Sequence, residues 1–292
     1  MKQVNSMISV SDRDAALLKL LVKRKLGIDI SSYKDSFLKR RVYNRMLACR
    51  AKTIFEYIKI LERSSEERKQ LLDSLSINVS RFFRDPFLWK VIRMKVLESA
   101  VKEALNKGRR LHIWSAGCAD GQEPYTIAII LMEIARITGE LPPIKIYATD
   151  IDESALQTAK FATYTKSDIE DVPLDILREY FEFTGSTYRV RMKVRRLVTF
   201  KKHDLTKEPP LNFINIIFCR NVLIYFDKTT QYNVIKSFYS SLIPPAYLIL
   251  GATETLSNEA SNLFEVVDGY AKIYRKKSQT FFNIKVNRLR EF

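Results

Sequence analysis

Leu111-His112-Ile113-Trp114-Ser115-Ala116-Gly117-Cys118-Ala119-Asp120-Gly121-Gln122-Glu123-Pro124-Tyr125 runs from an apolar strand through two glycines into an amphipathic helix. A second apolar strand, 144–148, follows and ends at Thr149-Asp150. A buried strand that stops at a glycine turn lets backbone approach a ligand, and the next helix presents free N–H groups at its start. An acidic residue ending the second strand can accept hydrogen bonds from both hydroxyls of a ribose. The pairing therefore predicts a nucleoside-binding site.

Gly117 and Gly121 do not form G-x-G-x-x-G, so a dinucleotide loses its best support. The looser spacing suits a ligand without a pyrophosphate, such as S-adenosylmethionine. Outward from this stretch, strand and helix patterns alternate: strand 111–115, helix 123–138, strand 144–149, helix 153–161, strands 198–203 and 214–219, helix 228–242 and strand 247–251. Such alternation predicts an α/β fold, a doubly wound, mostly parallel sheet. Around Thr184-Gly185-Ser186-Thr187 a turn is followed by period-two alternation through Val194, which reads as an antiparallel hairpin subdomain inserted near 165–197. A further strand is expected at 271–275, followed by a frayed basic end.

Residues 11–75 read instead as helices only, at 34–50, 54–63 and 66–75 after a first helix that Ser11 or Asp12 can cap and Gly27 can end. On the second of them Leu38, Val42 and Met46 form a packing stripe, while Lys34, Arg41 and Arg45 fall on a neighbouring basic stripe. Three units are thus expected: a small N-terminal all-helical domain over 1–75, a linker over 76–95 and a large domain over 96–292.

The chain carries 49 Lys+Arg against 33 Asp+Glu, a formal net charge of +16. Residues 1–75 hold 17 basic and 9 acidic side chains, a net +8, so half the excess lies in about a quarter of the chain. The excess points to a polyanionic partner or, equally, to a merely solvated basic face. No apolar run reaches the ~20 residues of a membrane span and the first residues lack a signal-peptide core. Cys49, Cys118 and Cys219 are far apart and lack metal-ligand spacing, so no metal and a reducing, cytoplasmic setting are expected. Cys118 and Cys219 read as small buried spacers, and His112 and His203, flanked by apolar strand residues, as structural groups.

Four segments together resemble the CheR-type chemotaxis-receptor glutamate methyltransferases: Asn78-Val79-Ser80-Arg81-Phe82-Phe83-Arg84, the loop 114–125, Ala148-Thr149-Asp150-Ile151-Asp152, and Phe218-Cys219-Arg220-Asn221-Val222-Leu223-Ile224-Tyr225-Phe226-Asp227. Leu250-Gly251-Ala252-Thr253-Glu254-Thr255-Leu256 follows in the family's order. The likeness covers residues from about 10 to 275. It implies a Rossmann-like methyltransferase domain that uses S-adenosylmethionine, releases S-adenosylhomocysteine and esterifies glutamate side chains in the cytoplasmic helical bundle of chemotaxis receptors. By similarity, cofactor contacts fall on Asn78, Ser80, Arg84, Glu123, Asp150, Asp204, Leu205, Arg220 and Asn221. The chain departs from the family where Ser80 replaces a threonine, Gln122 a glutamate, Asp204 an asparagine, Ala162 a glycine and Pro244-Pro245-Ala246 paired glycines.

Methyl transfer from a sulfonium to a carboxylate needs no general base, because a glutamate is already ionised at neutral pH. One fixed cation and one hydrogen-bond donor suffice, and Arg84 and Tyr225 are the residues expected to fill these catalytic roles. Lys34, Arg41 and Arg45 are expected to recognise the acidic receptor, with neither nucleic acid nor membrane insertion involved and a monomer as the working form. Two rivals remain open. A nucleic-acid methyltransferase would place Asn/Asp-Pro-Pro-Tyr/Phe where Cys219-Arg220-Asn221-Val222 stands, and the Pro-Pro pairs here are expected in connecting loops. A non-catalytic S-adenosylmethionine sensor would have no use for Arg84 with Tyr225.

Overall fold

The computed structural model describes residues 10–26, 29–75 and 80–277. The N-terminal helices are α1 (Asp12–Leu26), α2 (Asp35–Ala48), α3 (Ile54–Arg63) and α4 (Ser65–Leu75). Ser11 caps α1: its hydroxyl accepts the Asp14 N–H at 3.1 Å, and the Asp14 carboxylate accepts the Ser11 N–H at 2.9 Å in return. Thr53 caps α3 through the Glu56 N–H. Gly27, expected to end the first helix, lies outside the described residues. The apolar stripe of α2 behaves as its spacing predicts, for Leu38, Val42 and Met46 are buried with Leu18, Val22, Tyr57 and Leu61 in one cluster.

A run of α5 (Pro86–Ile92), a π-helical turn (Arg93–Leu97) and α6 (Glu98–Asn106) leads into the sheet, so part of the expected linker is helical. Its Leu88, Trp89, Ile92, Val96, Leu97 and Val101 are buried against the sheet. Each side chain of this size taken fully from water contributes about 1.5–3 kcal/mol, which a loose tether could not recover.

The α/β unit opens with β1 (Leu111–Ala116), α7 (Gln122–Thr138), β2 (Ile144–Asp150) and α8 (Glu153–Phe161). An excursion follows: β3 (Thr163–Tyr164), α9 (Leu174–Tyr180), β4 (Phe181–Phe183), β5 (Tyr188–Val190) and the short α10 (Met192–Arg195). The chain then returns through β6 (Val198–Lys202), β7 (Ile214–Cys219), α11 (Lys228–Ser241), β8 (Leu242–Leu250), α12 (Asn258–Ser261), β9 (Phe264–Asp268) and β10 (Ile273–Lys276). The main sheet has the order β6-β2-β1-β7-β8-β10-β9. β6 through β8 are parallel, and β10 runs antiparallel to both β8 and β9. Side chains alternate between its faces: Ile216 and Phe218 join the cluster under α5–α7, whereas Ile217 and Cys219 join the one under α11. The sheet is therefore covered on both faces, as the doubly wound reading requires.

The inserted antiparallel hairpin is present as β4–β5, and two details of the sequence reading are corrected. The inserted excursion is a three-stranded antiparallel sheet, β3-β5-β4, and its alternation stops at Val190. Beyond it α10 turns Val194 into the core cluster, so burial wins over the period-two pattern. Pro244-Pro245 lies within β8 and not in a connecting loop. The β7–β8 register shifts there, and the Asn215 amide donates to the carbonyls of Ile243 and Pro244 at 3.3 and 3.2 Å, which satisfies acceptors in a stretch whose prolines have no N–H to donate. Ala162 ends α8 in the left-handed region with φ 56°. That is the helix terminus where the absence of a side chain is preferred. Among the described residues, no helix is long and apolar enough to cross a membrane.

Candidate active site

The strand order changes direction at β1, with β2 and β6 to one side and β7 and β8 to the other. Open α/β sheets take ligands in the crevice at the carboxyl ends of strands beside such a point. A cavity of about 270 Å³ lies there, roofed from the helical region by Ile30, Tyr33 and Leu75.

Its floor is the loop after β1. The N–H groups of Gly117 and Cys118 both reach the Thr149 carbonyl, at 2.8 and 2.9 Å, which ties the loop to β2. Gly117 and Gly121 were expected to let backbone approach a ligand, but a Cβ on either would strike protein. At Gly117 it would lie 2.4 Å from Val222 and at Gly121 2.9 Å from Ala159. These glycines therefore allow elements to pack closely, and their φ of +82° and +91° adds a second reason for glycine. Asp150 closes β2 with its carboxylate already oriented: the Ala119 N–H donates to Oδ2 at 2.8 Å and the Asp152 N–H to Oδ1 at 3.0 Å. Lone pairs remain on both oxygens for a diol. Burial pushes this carboxyl above its ordinary range, against the backbone donors that pull it down.

One wall carries opposed charges. Arg220, at the end of β7 and only 4% exposed in its side chain, reaches Asp85 at 3.2 Å and Glu123 at 3.7 Å, and stacks over Trp89 at 5.1 Å. Glu123, in the first turn of α7, also accepts a hydrogen bond from the Ser115 hydroxyl at 2.8 Å. Burial raises its pKa, while Arg220 and Ser115 oppose the rise. Asp204 and Leu205 line the side near Tyr33, and the Asp204 carboxylate is oriented by a local turn through the N–H and hydroxyl of Thr206 at 2.9 and 2.7 Å. Burial, then the negative charges of Asp204 and Asp150, push the Tyr33 phenol up to about 12.

Arg84 and Tyr225 line the same cavity, and the charge of Arg84 acts on both Glu123 and Tyr225. The Tyr225 ring packs against Phe37 of α2 at 4.8 Å, and its carbonyl accepts the Lys34 N–H at 3.0 Å. Burial raises the phenol's pKa, with Arg41 and Arg84 opposing, so the hydroxyl stays protonated as a donor at neutral pH.

Ser80, Arg84, Glu123, Asp150, Asp204, Leu205, Arg220, Asn221 and Tyr225 thus share one cavity. Asn78 lies outside the described residues. The basic stripe does not survive as a unit. Lys34 precedes α2 and engages Tyr225 through its backbone. Arg41 lies over Phe37 at 5.4 Å, on the side facing Tyr225. Arg45 turns away: its guanidinium forms a two-pronged pair with Glu67, which also accepts from the Tyr57 hydroxyl. A role for Arg45 in recognition is therefore replaced by one in holding α2 to α4, because Glu67 is only 6% exposed and needs a counter-charge.

The sequence reading missed Trp89 and Tyr33 as cavity residues and placed His203 only as structural. His203 does bond Pro209 through Nε2 at 3.0 Å and meets Trp114 edge-on, but it also lines the cavity. The pairing of Trp89 with Arg220 spans far too much sequence for any local pattern to find it. The buried Arg220 Nε, Trp89 Nε1 and His203 Nδ1 lack protein partners. Buried polar atoms are nearly always satisfied, so such a cluster around one cavity fits a polar ligand. A carboxylate for a ribose, opposed charges for a zwitterion and apolar walls between them match the parts of S-adenosylmethionine.

Fold and site together define a Rossmann-like methyltransferase of the S-adenosylmethionine-dependent class. The model of the CheR methyltransferase SAM-binding domain matches residues 78–273, and that of the CheR all-alpha domain matches residues 13–76. This chain belongs to the CheR methyltransferase family. It is 32% identical to a chemotaxis protein methyltransferase of Borreliella burgdorferi, over 86% of this chain and 91% of that protein. It is 30% identical to chemotaxis protein methyltransferase 1 of Pseudomonas aeruginosa, over 92% of this chain and 100% of that protein. It also matches an uncharacterised 104.1 kDa protein of Rhodobacter capsulatus at 29% identity, where it spans 26% of that protein's length.

Proposed function

We propose that this chain is a cytoplasmic protein-glutamate O-methyltransferase that converts glutamate side chains of chemotaxis receptors to methyl esters. The observation that carries the reading is the convergence of Arg84 and Tyr225 on the cavity whose floor holds Asp150. The names of its full-length relatives support it. When bound, S-adenosylmethionine supplies an electrophilic methyl group on a positively charged sulfur. Asp150 would hold the ribose hydroxyls, and the opposed charges of Glu123 and Arg220 suit the amino-acid end. Ser80, Asp204, Leu205 and Asn221 would complete the contacts, as would Asn78.

The acceptor carboxylate is ionised at neutral pH, so no residue has to remove a proton. Arg84 can grip it through two parallel hydrogen bonds, and the protonated Tyr225 hydroxyl can donate a third. Alignment of the two reactants is then the main source of rate. Arg41, over Phe37 and acting on Tyr225 through its charge, would attract an acidic receptor helix. The test is incubation with radiolabelled S-adenosylmethionine and receptor-containing membranes from the same cell, followed by base. Glutamyl methyl esters release volatile methanol; label that stays on protein or nucleic acid after base rejects the reading.

A further inference from the structure

The segment after β7 carries Arg220, Asn221 and Tyr225, and Asn221 sits in the left-handed region with φ 62°. Asparagine tolerates that conformation better than other non-glycine residues, and here the backbone is also held from outside. Glu254, just beyond β8 and only 4% exposed, is the group that holds it. Its Oε2 accepts the N–H of Asn221 at 2.8 Å and that of Gly251 at 2.7 Å. Its Oε1 accepts the N–H of Val222 at 3.0 Å and that of Ile224 at 3.3 Å. One carboxylate thus gathers successive backbone donors that would otherwise be buried without partners.

Gly251 belongs to the same device. A Cβ there would lie 2.7 Å from the Glu254 carboxylate and 2.8 Å from the Asn221 nitrogen, so only glycine lets the two segments meet. Glu254 is not among the residues lining the cavity, and its reach into the site runs through the segment it holds. Its charge also raises the pKa of Tyr225 and of Glu123.

We propose that Glu254 is a positioning residue that fixes Asn221 for the cofactor and Tyr225 for the acceptor by binding the backbone between them. The proposal rests on the methyltransferase reading given above. Glu254→Gln keeps the shape but replaces one acceptor oxygen with an amide that faces N–H groups; Glu254→Asp keeps the charge on a shorter arm. Calorimetry with S-adenosylhomocysteine on the full chain gives both the dissociation constant and the number of binding-competent sites. Methyl transfer to receptor membranes is then expressed per site, so that a merely smaller folded fraction cancels.

The Gln variant should bind S-adenosylhomocysteine about fivefold more weakly and turn over at least about tenfold more slowly per site, with Asp restoring part of both. A dissociation constant and per-site turnover both within about twofold of wild type would overturn the proposal, even if fewer sites are found. Should the Gln variant show no sites, the Asp variant decides by the same two numbers. If the wild type forms no base-labile methyl ester, the reaction reading fails, while the binding comparison still decides the anchor.

Discussion

The N-terminal helices and the cavity use charge in opposite ways. In the helices Lys19 meets Asp35, Lys23 meets Asp29, Lys25 meets Glu62, Lys39 meets Asp12 and Arg45 meets Glu67. Apart from the last, these pairs face water and contribute about 0–1 kcal/mol each. In the cavity, by contrast, the charges of Arg220, Glu123 and Asp150 are largely removed from water. A buried charge is expensive without a partner, so its placement has to serve something. Each internal pair is neutral, so the net +8 of residues 1–75 stays on side chains outside these five pairs.

The sharpest way to probe the cavity side is Arg84. If it holds the acceptor carboxylate, Arg84→Ala should lower kcat by roughly 10²–10³-fold, the range seen when one preorganised donor is removed from an active site. The melting transition and S-adenosylhomocysteine binding should change far less. Arg84→Lys should recover only part of the rate, since an ammonium cannot supply two parallel hydrogen bonds. Wild-type turnover by the lysine variant would show that the two-pronged grip is wrong.

On the helical side the largest effect belongs to Arg45. Removing it leaves Glu67 buried with only Tyr57 and its neighbours for support, so Arg45→Ala should cost about 2–3 kcal/mol in a denaturant melt. Lys39→Ala, which breaks an exposed pair, should stay within about 0.5 kcal/mol. The Arg45 effect should depend on pH with a definite sign. Burial pushes the Glu67 carboxyl up, but hydrogen bonds from Arg45, Cys49 and Tyr57, with the charge of Arg45, outweigh it and leave the pKa below the ordinary 4.5. A carboxylate with a depressed folded pKa stabilises fully above its unfolded pKa, and that contribution fades as pH falls through the folded value. The gap between wild type and Arg45→Ala should thus be full at neutral pH and narrow in acid below about pH 4. A gap that is constant with pH would mean that packing of the arginine stem, not the ion pair, is what was lost.

Asp150 returns the comparison to the cavity with a somewhat smaller effect. Its two backbone donors fix the carboxylate at the cavity; if it holds the ribose, Asp150→Ala should weaken S-adenosylhomocysteine binding by one to two orders of magnitude, about 1.5–3 kcal/mol for charged hydrogen bonds. Calorimetry on the folded variant checks this, and unchanged affinity would remove Asp150 from the ribose.

These sites were legible in the sequence to different degrees, for physical reasons. Asp150 and the β1 turn could be read because a strand, a glycine and a helix start are neighbours in the chain. The helical stripe of Leu38, Val42 and Met46 could be read because burial on a helix follows its period. Arg45 could not be told from Arg41, since both lie on α2 one turn apart and only the position of Glu67 on α4 separates their fates. Trp89 under Arg220 and Tyr33 over the cavity depend on contacts between distant segments, which no local period encodes. The prolines of β8 read as loop because their partner is a side chain, Asn215, rather than a ladder.

Arg41 is the member of the basic stripe whose charge acts on Tyr225, and it gives the smallest effect. Its guanidinium rests over Phe37, whose ring packs against Tyr225, and its charge acts on the Tyr225 hydroxyl. Acidic receptor helices should be drawn to it over a distance set by salt, about 8 Å at 0.15 M. Arg41→Glu should therefore reduce receptor methylation several-fold at low salt through a higher KM, with S-adenosylhomocysteine affinity unchanged because Arg41 is not among the residues lining the cavity. Raising salt should weaken the wild type and shrink the difference, as screening removes the attraction that the variant has already lost. A reversal that leaves KM unchanged at low salt would make Arg41 a solvated neighbour of Phe37, and recognition would then have to come from the cavity itself.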